Sequence, residues 1–223
     1  MGLIIAIDGP AGSGKSTVAR EVAKRLELSY VDTGAIYRGL ALYATRKNIA
    51  ENSEDELAVL AATLPLKIET TPNSQRISLG QEDVSEAIRS EKISRLASVI
   101  SGFNKVRAQL LFLQRRLGRE AEKGAVLEGR DIGTVVFPDA ELKFFLTASN
   151  EERAKRRYEE LLARGEEVSL DHVLREMVER DERDSKRTVA PLTPAPDAQI
   201  VDTTFLSLDA VIDFIVGVVN ENN

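Results

Sequence analysis

Short apolar runs alternate with helical patterns along the chain. The first run, residues 3–7, contains only apolar side chains, which is typical of a strand buried on both faces. Further strands are predicted at residues 28–31, 125–127, 142–146 and 199–201. Because helical patterns separate most of these strands, the sequence predicts an α/β fold of three layers, with a five-stranded parallel sheet between helices.

The gap between the second and third predicted strands is far longer than one crossover connection needs. Within it, residues 64–69 and 76–79 alternate between apolar and polar positions and flank a turn, which predicts a β-hairpin. Pro65 favours an edge position for the first of these strands. We therefore predict a small β-rich insertion at residues 63–92, followed by one long helix from about residue 93 to 122.

The remaining residues, 1–62 and 93–223, are predicted to form one large domain. A chain of 223 residues can bury a sizeable core, and 43% apolar with 30% charged residues is an ordinary globular balance. No apolar run approaches the roughly 20 residues of a membrane span. The chain starts with neither the basic region nor the long apolar region of an export signal. A cytoplasmic protein without membrane contact is expected.

Composition narrows the possible chemistry. The absence of cysteine excludes disulfides, thiolate metal sites and a cysteine nucleophile. A single histidine leaves few options for a metal site or a Ser-His triad. A net charge of −6 argues against a general nucleic-acid binder. Any catalysis is therefore expected to use carboxylates, arginine, lysine and hydroxyl groups.

Residues 9–16 match the phosphate-binding pattern G-x-x-x-x-G-K-[ST]. The match follows a predicted buried strand and opens a predicted helix, which is the context that a P-loop requires. Glycines let backbone N–H groups converge on an anion, and the helix N-terminus adds a positive dipole. Lys15 is expected to reach the β and γ phosphates and the Ser16 hydroxyl to bind Mg²⁺. The sequence therefore predicts binding of a nucleoside triphosphate.

The P-loop alone leaves three uses open: transfer to a small molecule, hydrolysis that drives motion or a switch, and regulatory binding. A small-molecule kinase needs an acceptor pocket and a mobile cationic cover that excludes water. Candidates for that pocket share one helical face: Leu170, Val173, Met177, Arg180, Asp184 and Arg187. The face begins apolar and becomes charged, which favours a helix that leaves the core and enters a polar pocket. An exposed Arg180–Asp184 pair on a solvated surface is the alternative.

Three further polar stretches follow predicted strands. Residues 32–38 follow the second strand and residues 128–131 the third, so both lie at the carboxyl edge of the sheet, where open α/β folds bind ligands. Residues 150–167 follow the fourth strand and carry several arginines, which favours a short helical lid over phosphates. Each stretch also has a purely structural interpretation. Residues 32–38 would then be a helix cap followed by a core tyrosine, residues 128–131 a turn with a surface ion pair, and residues 150–167 a solvated helix.

The type of acceptor can be inferred from what the chain lacks. A phosphate monoester, whose second pKa is about 6, is largely dianionic at pH 7 and attacks without a general base. An alcohol would more often need a dedicated aspartate base. The chain has many arginines, no cysteine and one histidine, His172, which is expected to face solvent. This composition favours a phosphate acceptor.

Four segments together resemble the bacterial cytidylate kinase family. They are residues 9–17 (Gly-Pro-Ala-Gly-Ser-Gly-Lys-Ser-Thr), 32–38 (Asp-Thr-Gly-Ala-Ile-Tyr-Arg), 129–138 (Gly-Arg-Asp-Ile-Gly-Thr-Val-Val-Phe-Pro) and 180–187 (Arg-Asp-Glu-Arg-Asp-Ser-Lys-Arg). The first segment alone is unspecific. Its combination with the other three, in this order and spacing along nearly the whole chain, is highly specific.

The resemblance implies transfer of the ATP γ-phosphoryl group to CMP or dCMP with Mg²⁺, by a P-loop core with a CMP-binding insertion and a short lid. The residues expected to bind ATP are Gly9, Pro10, Ala11, Gly12, Ser13, Gly14, Lys15, Ser16, Thr17, Arg153 and Arg157. Those expected to bind CMP are Asp32, Thr33, Gly34, Tyr37, Arg38, Ser98, Arg107, Arg130, Asp131, Arg180, Asp184 and Arg187. Those expected to be catalytic are Lys15, Arg130, Asp131 and Arg180.

The resemblance also implies how the base is distinguished. The residues expected to contact cytosine are Thr33, Ser98, Arg107 and Asp131. A carboxylate accepts from the exocyclic amine of cytosine and would repel the oxygen of uracil. Thr33 stands where many family members have serine, which keeps the hydroxyl and adds a methyl group.

Two matters stay open at this stage. Ser16 is the expected Mg²⁺ ligand, and either Glu128 or Asp131 could approach the ion through water. A P-loop kinase for another phosphorylated metabolite, or a nucleotide-dependent switch or ATPase, is the alternative function. A monomer that binds no nucleic acid is expected in the main interpretation.

Overall fold

The computed structural model describes residues 2–222, which form two β-sheets. The larger sheet contains β1 (Leu3–Asp8), β2 (Ser29–Asp32), β6 (Gly124–Gly129), β7 (Leu142–Thr147) and β8 (Gln199–Asp202). These strands are all parallel and lie in the order β2-β6-β1-β7-β8. The smaller, antiparallel sheet contains β3 (Leu66–Thr70), β4 (Gln75–Leu79) and β5 (Glu82–Asp83). The predicted α/β fold, with five parallel strands and a small β-rich insertion, is confirmed.

Helices cover both faces of the larger sheet. They are α1 (Lys15–Arg25), α2 (Gly34–Arg46), α3 (Glu54–Ala62), α4 (Glu91–Ile100), α5 (Asn104–Arg119), α6 (Asn150–Ala163), α7 (Leu170–Lys186) and α8 (Leu208–Asn222). Alternate side chains of β1 point to opposite faces of the sheet, so the core has two parts. Ile5 and Ile7 pack with α1 and α8, whereas Ile4 and Ala6 face the side covered by α5. None of the helices in the described residues is long and apolar enough to cross a membrane.

The register of the parallel strands places their polar ends together. Asp8, the last residue of β1, lies opposite Gly129 of β6, and Asp32, the last residue of β2, lies opposite Glu128. The phosphate-binding loop, residues 9–16, leaves the sheet at this same edge, between β1 and α1. Three of the predicted site segments are therefore neighbours because of strand order alone.

The single long helix predicted from about residue 93 to 122 is wrong. The structure has two helices, α4 and α5, and Phe103 between them has an extended backbone. The Arg107 guanidinium donates a 3.1 Å hydrogen bond to the Ser101 carbonyl, which satisfies an acceptor that the end of α4 leaves free. The apolar spacing does not reveal this break, because both helices bury their apolar faces in one core.

The 170–187 segment forms the predicted helix, and the predicted face of that helix is turned inward over most of its length. Val173, Met177 and Asp184 are buried, but Leu170, the first residue of α7, is 43% exposed. Arg187 lies just beyond the last residue of α7, in extended backbone. The face therefore starts one turn later than the spacing suggests, and its last arginine is placed by the end of the helix rather than by helical periodicity.

Candidate active site

A cleft of about 740 Å³ opens at the carboxyl edge of the larger sheet. Most of the predicted site residues line it: Ala11, Gly12, Ser13, Gly14, Lys15, Ser16, Thr17, Asp32, Thr33, Gly34, Tyr37, Arg38, Ser98, Arg107, Arg130, Asp131, Arg157, Arg180, Asp184 and Arg187. Gly9, Pro10 and Arg153 are predicted site residues that do not line the cleft. Residues from the start, middle and end of the chain thus meet around one cavity.

The phosphate-binding loop is held in a conformation that needs glycine. Gly12 has a φ of +72°, and a Cβ there would lie 2.7 Å from the Arg153 carbonyl oxygen. A Cβ on Gly9 would lie 2.1 Å from the Leu146 carbonyl oxygen. These close approaches explain why Gly9 supports the loop from beneath the cleft rather than lining it. The backbone of the loop therefore forms a ring that packs closely against β7 and α6 and ends at the first residue of α1, Lys15.

The Lys15 ammonium group lies inside this ring. It donates a 3.3 Å hydrogen bond to the Pro10 carbonyl and lies 4.0 Å from a carboxylate oxygen of Glu128. Burial, reinforced by the positive charge of Arg130, lowers the pKa of Lys15 to about 7. A bound polyphosphate would reverse this, because an anion beside the ammonium favours its charged form.

Glu128 lies beside Ser16, whereas Asp131 does not. The Ser16 hydroxyl donates a 2.7 Å hydrogen bond to one oxygen of Glu128, and the Tyr30 hydroxyl donates a 2.6 Å bond to the other. Burial and the Glu128 charge raise the pKa of Tyr30 well above its usual value, so Tyr30 stays a donor. Of the two carboxylates that sequence reasoning left open, the structure brings Glu128 to the predicted metal ligand.

Asp131 faces arginines rather than the phosphate-binding loop. Its carboxylate forms an ion pair with Arg107 and lies 4.0 Å from Arg187. Burial raises the pKa of Asp131, against the lowering effect of Arg107 and Arg187. Arg107 also lies over the ring of Tyr37, 5.7 Å from its centroid. Asp131 is thus a buried acceptor that is paired with arginine, whereas Glu128 is the carboxylate that contacts Ser16.

The remaining arginines differ in how well they are neutralised. Arg130 pairs with Asp184 at 3.1 Å, and Arg38 pairs with Asp32 at 2.5 Å. Arg180 has no ion pair within the described residues, and its buried Nε has no hydrogen-bond partner. Burial, with the positive charge of Arg130, lowers the pKa of Arg180 to about 10. The cleft therefore contains cationic charge that the protein itself does not balance.

Three further predicted residues stabilise the wall of the cleft. Asp32 accepts a 3.1 Å hydrogen bond from the Ala35 N–H and so caps α2. The Thr33 hydroxyl donates a 2.8 Å bond to the Glu128 carbonyl. The Ser98 hydroxyl on α4 lies 3.4 Å from an Asp184 oxygen on α7. Asp32 therefore does both: it accepts from an N–H group in the first turn of α2, and it lines the cleft.

Asp8 is a functional candidate that sequence reasoning missed. Its two carboxylate oxygens accept 2.8 Å hydrogen bonds from the N–H groups of Ile132 and Gly133. Burial raises the pKa of Asp8 to about 7, against the lowering effect of these bonds. Asp8 thus fixes the turn that presents Arg130 and Asp131. Its position, a carboxylate ending a buried strand directly before the phosphate-binding loop, is the signal that could have found it.

Of the two α6 arginines predicted to bind ATP, Arg157 lines the cleft and Arg153 does not. Arg153 is buried and donates to the carbonyls of Ala148 and Ala11, at 3.1 and 2.9 Å, and pairs with Asp181 at 2.5 Å. Its guanidinium therefore ties the phosphate-binding loop to α6 and α7. Arg157 lines the cleft, as does Arg156, which sequence reasoning did not select. Periodicity gives i,i+4 neighbours but not which of them turns inward.

The model of the cytidylate kinase family matches residues 5–221. The chain belongs to the cytidylate kinase family. It is 50% identical over 220 residues to the cytidylate kinase of Geobacter sulfurreducens. The matched region covers 99% of this chain and 94% of that protein. It is also 50% identical over 216 residues to the cytidylate kinase of Pseudomonas syringae pv. tomato, covering 96% and 93% respectively.

A structural comparison agrees on the fold. A crystal structure of an uncharacterized protein from Eubacterium ventriosum matches with a TM-score of 0.51 and 15% identity, over 98% of each chain. At that identity the likeness shows fold alone. Family membership decides between the uses that the phosphate-binding loop left open: the chain is a nucleoside monophosphate kinase that phosphorylates CMP to CDP at the expense of ATP.

Proposed function

We propose that this cytidylate kinase family member binds the acceptor phosphate with Arg180, Arg130, Arg38 and Arg187 and the donor phosphates with the 9–17 segment. The observation that carries this assignment is that Arg180 has no ion pair within the described residues, while Asp184, the carboxylate that attracts it, is already paired with Arg130. A guanidinium is buried without a counter-ion only at a substantial cost. An acceptor phosphate, nearly dianionic at pH 7, would supply that counter-ion and the missing hydrogen bond.

The acceptor base would lie deeper in the same half of the cleft. Asp131 offers an oxygen that can accept from the cytosine amine, and Arg107 offers donors for N3 and O2. Their mutual ion pair holds both groups in place before the base arrives. Ser98 and Thr33 present hydroxyls beside them. This arrangement favours CMP or dCMP over UMP, because uracil replaces the amine with an oxygen.

The donor half fits ATP and Mg²⁺. The Ser16 hydroxyl and the Glu128 carboxylate, 2.7 Å apart, are oxygen donors of the type that Mg²⁺ prefers. When bound, Mg²⁺ neutralises charge on the β and γ phosphates. Lys15 would contact the same phosphates, and the exposed edges of Arg156 and Arg157 would cover them from α6. Arg153 would act by holding the phosphate-binding loop rather than by touching ATP.

Chemistry in this site consists of positioning and charge compensation. An oxygen of the acceptor phosphate attacks the γ-phosphorus in line, the bond from that phosphorus to the β,γ-bridging oxygen breaks, and ADP leaves; no side chain needs to remove a proton from the acceptor. Lys15 on the donor side and Arg180 on the acceptor side lie in one cleft, so the two anions approach between cations. Lys15, Arg130 and Arg180 are the residues that we assign to transition-state charge.

The two ends of the cleft are the parts expected to move. We assign residues 63–92 to an insertion that covers CMP and residues 150–167 to a lid that covers ATP, with residues 1–62 and 93–223 forming the core around them. Closure would exclude water from the phosphates. We propose a monomeric enzyme in the cytoplasm that acts on nucleotides and not on nucleic acid.

A panel of acceptors tests the proposal. ATP consumption coupled to a detection enzyme is measured with CMP, dCMP, UMP, AMP and GMP, and without an acceptor. We expect CMP and dCMP to be phosphorylated far more efficiently than UMP, and little hydrolysis without an acceptor. Equal efficiency with UMP would contradict the assignment of Asp131 to the base, and strong acceptor-free turnover would contradict the kinase cleft itself.

A further inference from the structure

A second group of chemically active side chains lies outside the cleft. Glu91 is the first residue of α4, and His172 and Glu176 lie one helical turn apart on α7. One oxygen from each glutamate and one imidazole nitrogen lie within 4.8 Å of one another. Two helices of different parts of the chain thus meet through three groups that can bind a metal ion.

The protein does not neutralise this group itself. Within residues 2–222, Glu176 has one ion-pair contact, to His172 at 3.8 Å, and Glu91 has none. Close contact with Glu176, together with burial, raises the pKa of Glu91. Arg157 faces Glu91 from α6, but its salt bridge is to Glu160. Two facing carboxylates repel unless they share a proton or a cation.

We propose that Glu91, His172 and Glu176 bind a divalent transition-metal ion, with Zn²⁺ the best match. The i,i+4 spacing on α7 presents the imidazole and one carboxylate to the same point, and Glu91 closes the site from α4. Imidazole nitrogen and carboxylate oxygen are ordinary Zn²⁺ ligands, and three protein ligands leave one position for water. His172 and Glu176 are 47% and 44% exposed, which leaves a path for the ion.

This site differs in ion class from the one at Ser16. Ser16 and Glu128 offer oxygen alone, which suits Mg²⁺, whereas a nitrogen ligand favours zinc and its neighbours. The ion would also join two helices that flank the cleft, since α4 carries Ser98 and α7 carries Arg180. Because only the folded chain brings these helices together, the metal is expected to raise the melting temperature as its concentration rises.

The single histidine of the chain makes the test direct. In the full, untagged protein labelled with ¹³C and ¹⁵N at histidine, the one set of imidazole NMR signals belongs to His172. We expect Zn²⁺, added without nucleotide, to shift these signals to saturation at one equivalent per chain. Glu91→Gln and Glu176→Gln are each expected to weaken that binding at least about tenfold. Glu179→Gln, on the exposed side of α7, is the matched control and should leave it unchanged.

Two results would overturn the proposal. The first is an imidazole spectrum that does not change with Zn²⁺ in molar excess. The second is a shift that persists at full affinity in Glu91→Gln, which would mean that α7 alone binds the ion. Melting curves of each variant without metal, and its CMP kinase activity without Zn²⁺, are expected to match the wild type. They separate the loss of a ligand from the loss of the fold.

Discussion

Ser16 and Glu128, 112 positions apart in the chain, are joined by a 2.7 Å hydrogen bond from the hydroxyl to the carboxylate. The phosphate-binding loop and the end of β6 therefore form one unit before any nucleotide binds. Tyr30 from β2 donates to the other oxygen of Glu128 and fixes the direction of that carboxylate. The donor half of the site thus depends on three adjacent strands, and it can be tested one contact at a time.

Tyr30→Phe removes the hydrogen bond that orients Glu128. We expect the Mg²⁺ concentration for half-maximal activity to rise about tenfold, as for other outer partners of metal sites. Turnover at saturating Mg²⁺ should change little, because the phenyl ring still fills the buried position. Tyr43→Phe, outside the cleft, is the control. An unchanged Mg²⁺ dependence in Tyr30→Phe would show that the tyrosine does not support the ion.

Lys15 should take up a proton when ATP binds. Burial lowers its pKa to about 7, so at pH 8 it is mostly neutral in the free protein and becomes charged beside the phosphates. Calorimetric titrations of ATP with Mg²⁺ in buffers of different ionisation enthalpy report the uptake, which should approach one proton. Lys15→Met should abolish it. A zero uptake in the wild type would contradict the perturbed ammonium.

Asp8 should make the stability of the fold pH-dependent. Burial raises the pKa of Asp8 to about 7 from its usual value of 3.8, so the folded state holds the proton more tightly and stability falls as pH rises through this interval. Between pH 5 and 8, the free energy of unfolding should fall in the wild type by on the order of 2 kcal/mol more than in Asp8→Asn. Denaturant titrations measure both slopes. Parallel slopes would contradict the buried carboxyl.

Substitutions of Arg153 and Arg156 should affect different properties, the first the stability of the fold and the second the binding of ATP. Arg153→Ala leaves Asp181 and the Ala11 and Ala148 carbonyls without their donor, so the free energy of unfolding should fall by about 3 kcal/mol. Arg156→Ala loses a partly exposed pair with Glu152 and two hydrogen bonds to Thr203, so it should cost less stability than Arg153→Ala, while it weakens ATP binding. Unfolding curves and ATP titrations of the two variants measure both effects. A larger loss of ATP affinity in Arg153→Ala than in Arg156→Ala would contradict the prediction and would mean that Arg153 touches ATP.

Local patterns predicted the parts of this site that depend on strand ends and helical spacing. The 9–16 loop, the 128–131 turn and the Arg180–Asp184 face were found because each follows from short-range periodicity or from the edge rule for parallel sheets. The break at Phe103 was not, because both flanking helices present apolar faces to the same core. A helix boundary that is set by tertiary packing in this way leaves little trace in the spacing of apolar residues along the sequence.

Long-range contacts account for the rest of what sequence reasoning missed. The inward turn of Arg153 depends on carbonyls of Ala11 and Ala148, and the role of Asp8 depends on a turn more than 100 residues away. His172 was expected to face solvent, and it is half exposed, but its neighbour Glu91 comes from a different helix. Pairings of this kind are decided by the fold and cannot be seen in a single sequence.

The central claim is that the acceptor phosphate supplies the ion pair that Arg180 lacks within the described residues. Calorimetric titrations of CMP and of cytidine into the wild type, Arg180→Ala and the exposed control Arg183→Ala test it most directly. We predict that Arg180→Ala weakens CMP binding by at least about tenfold, the cost of a charged hydrogen bond, and leaves cytidine binding and the Arg183→Ala values unchanged. Unaltered CMP binding in Arg180→Ala, or an equal loss for cytidine, would contradict the claim.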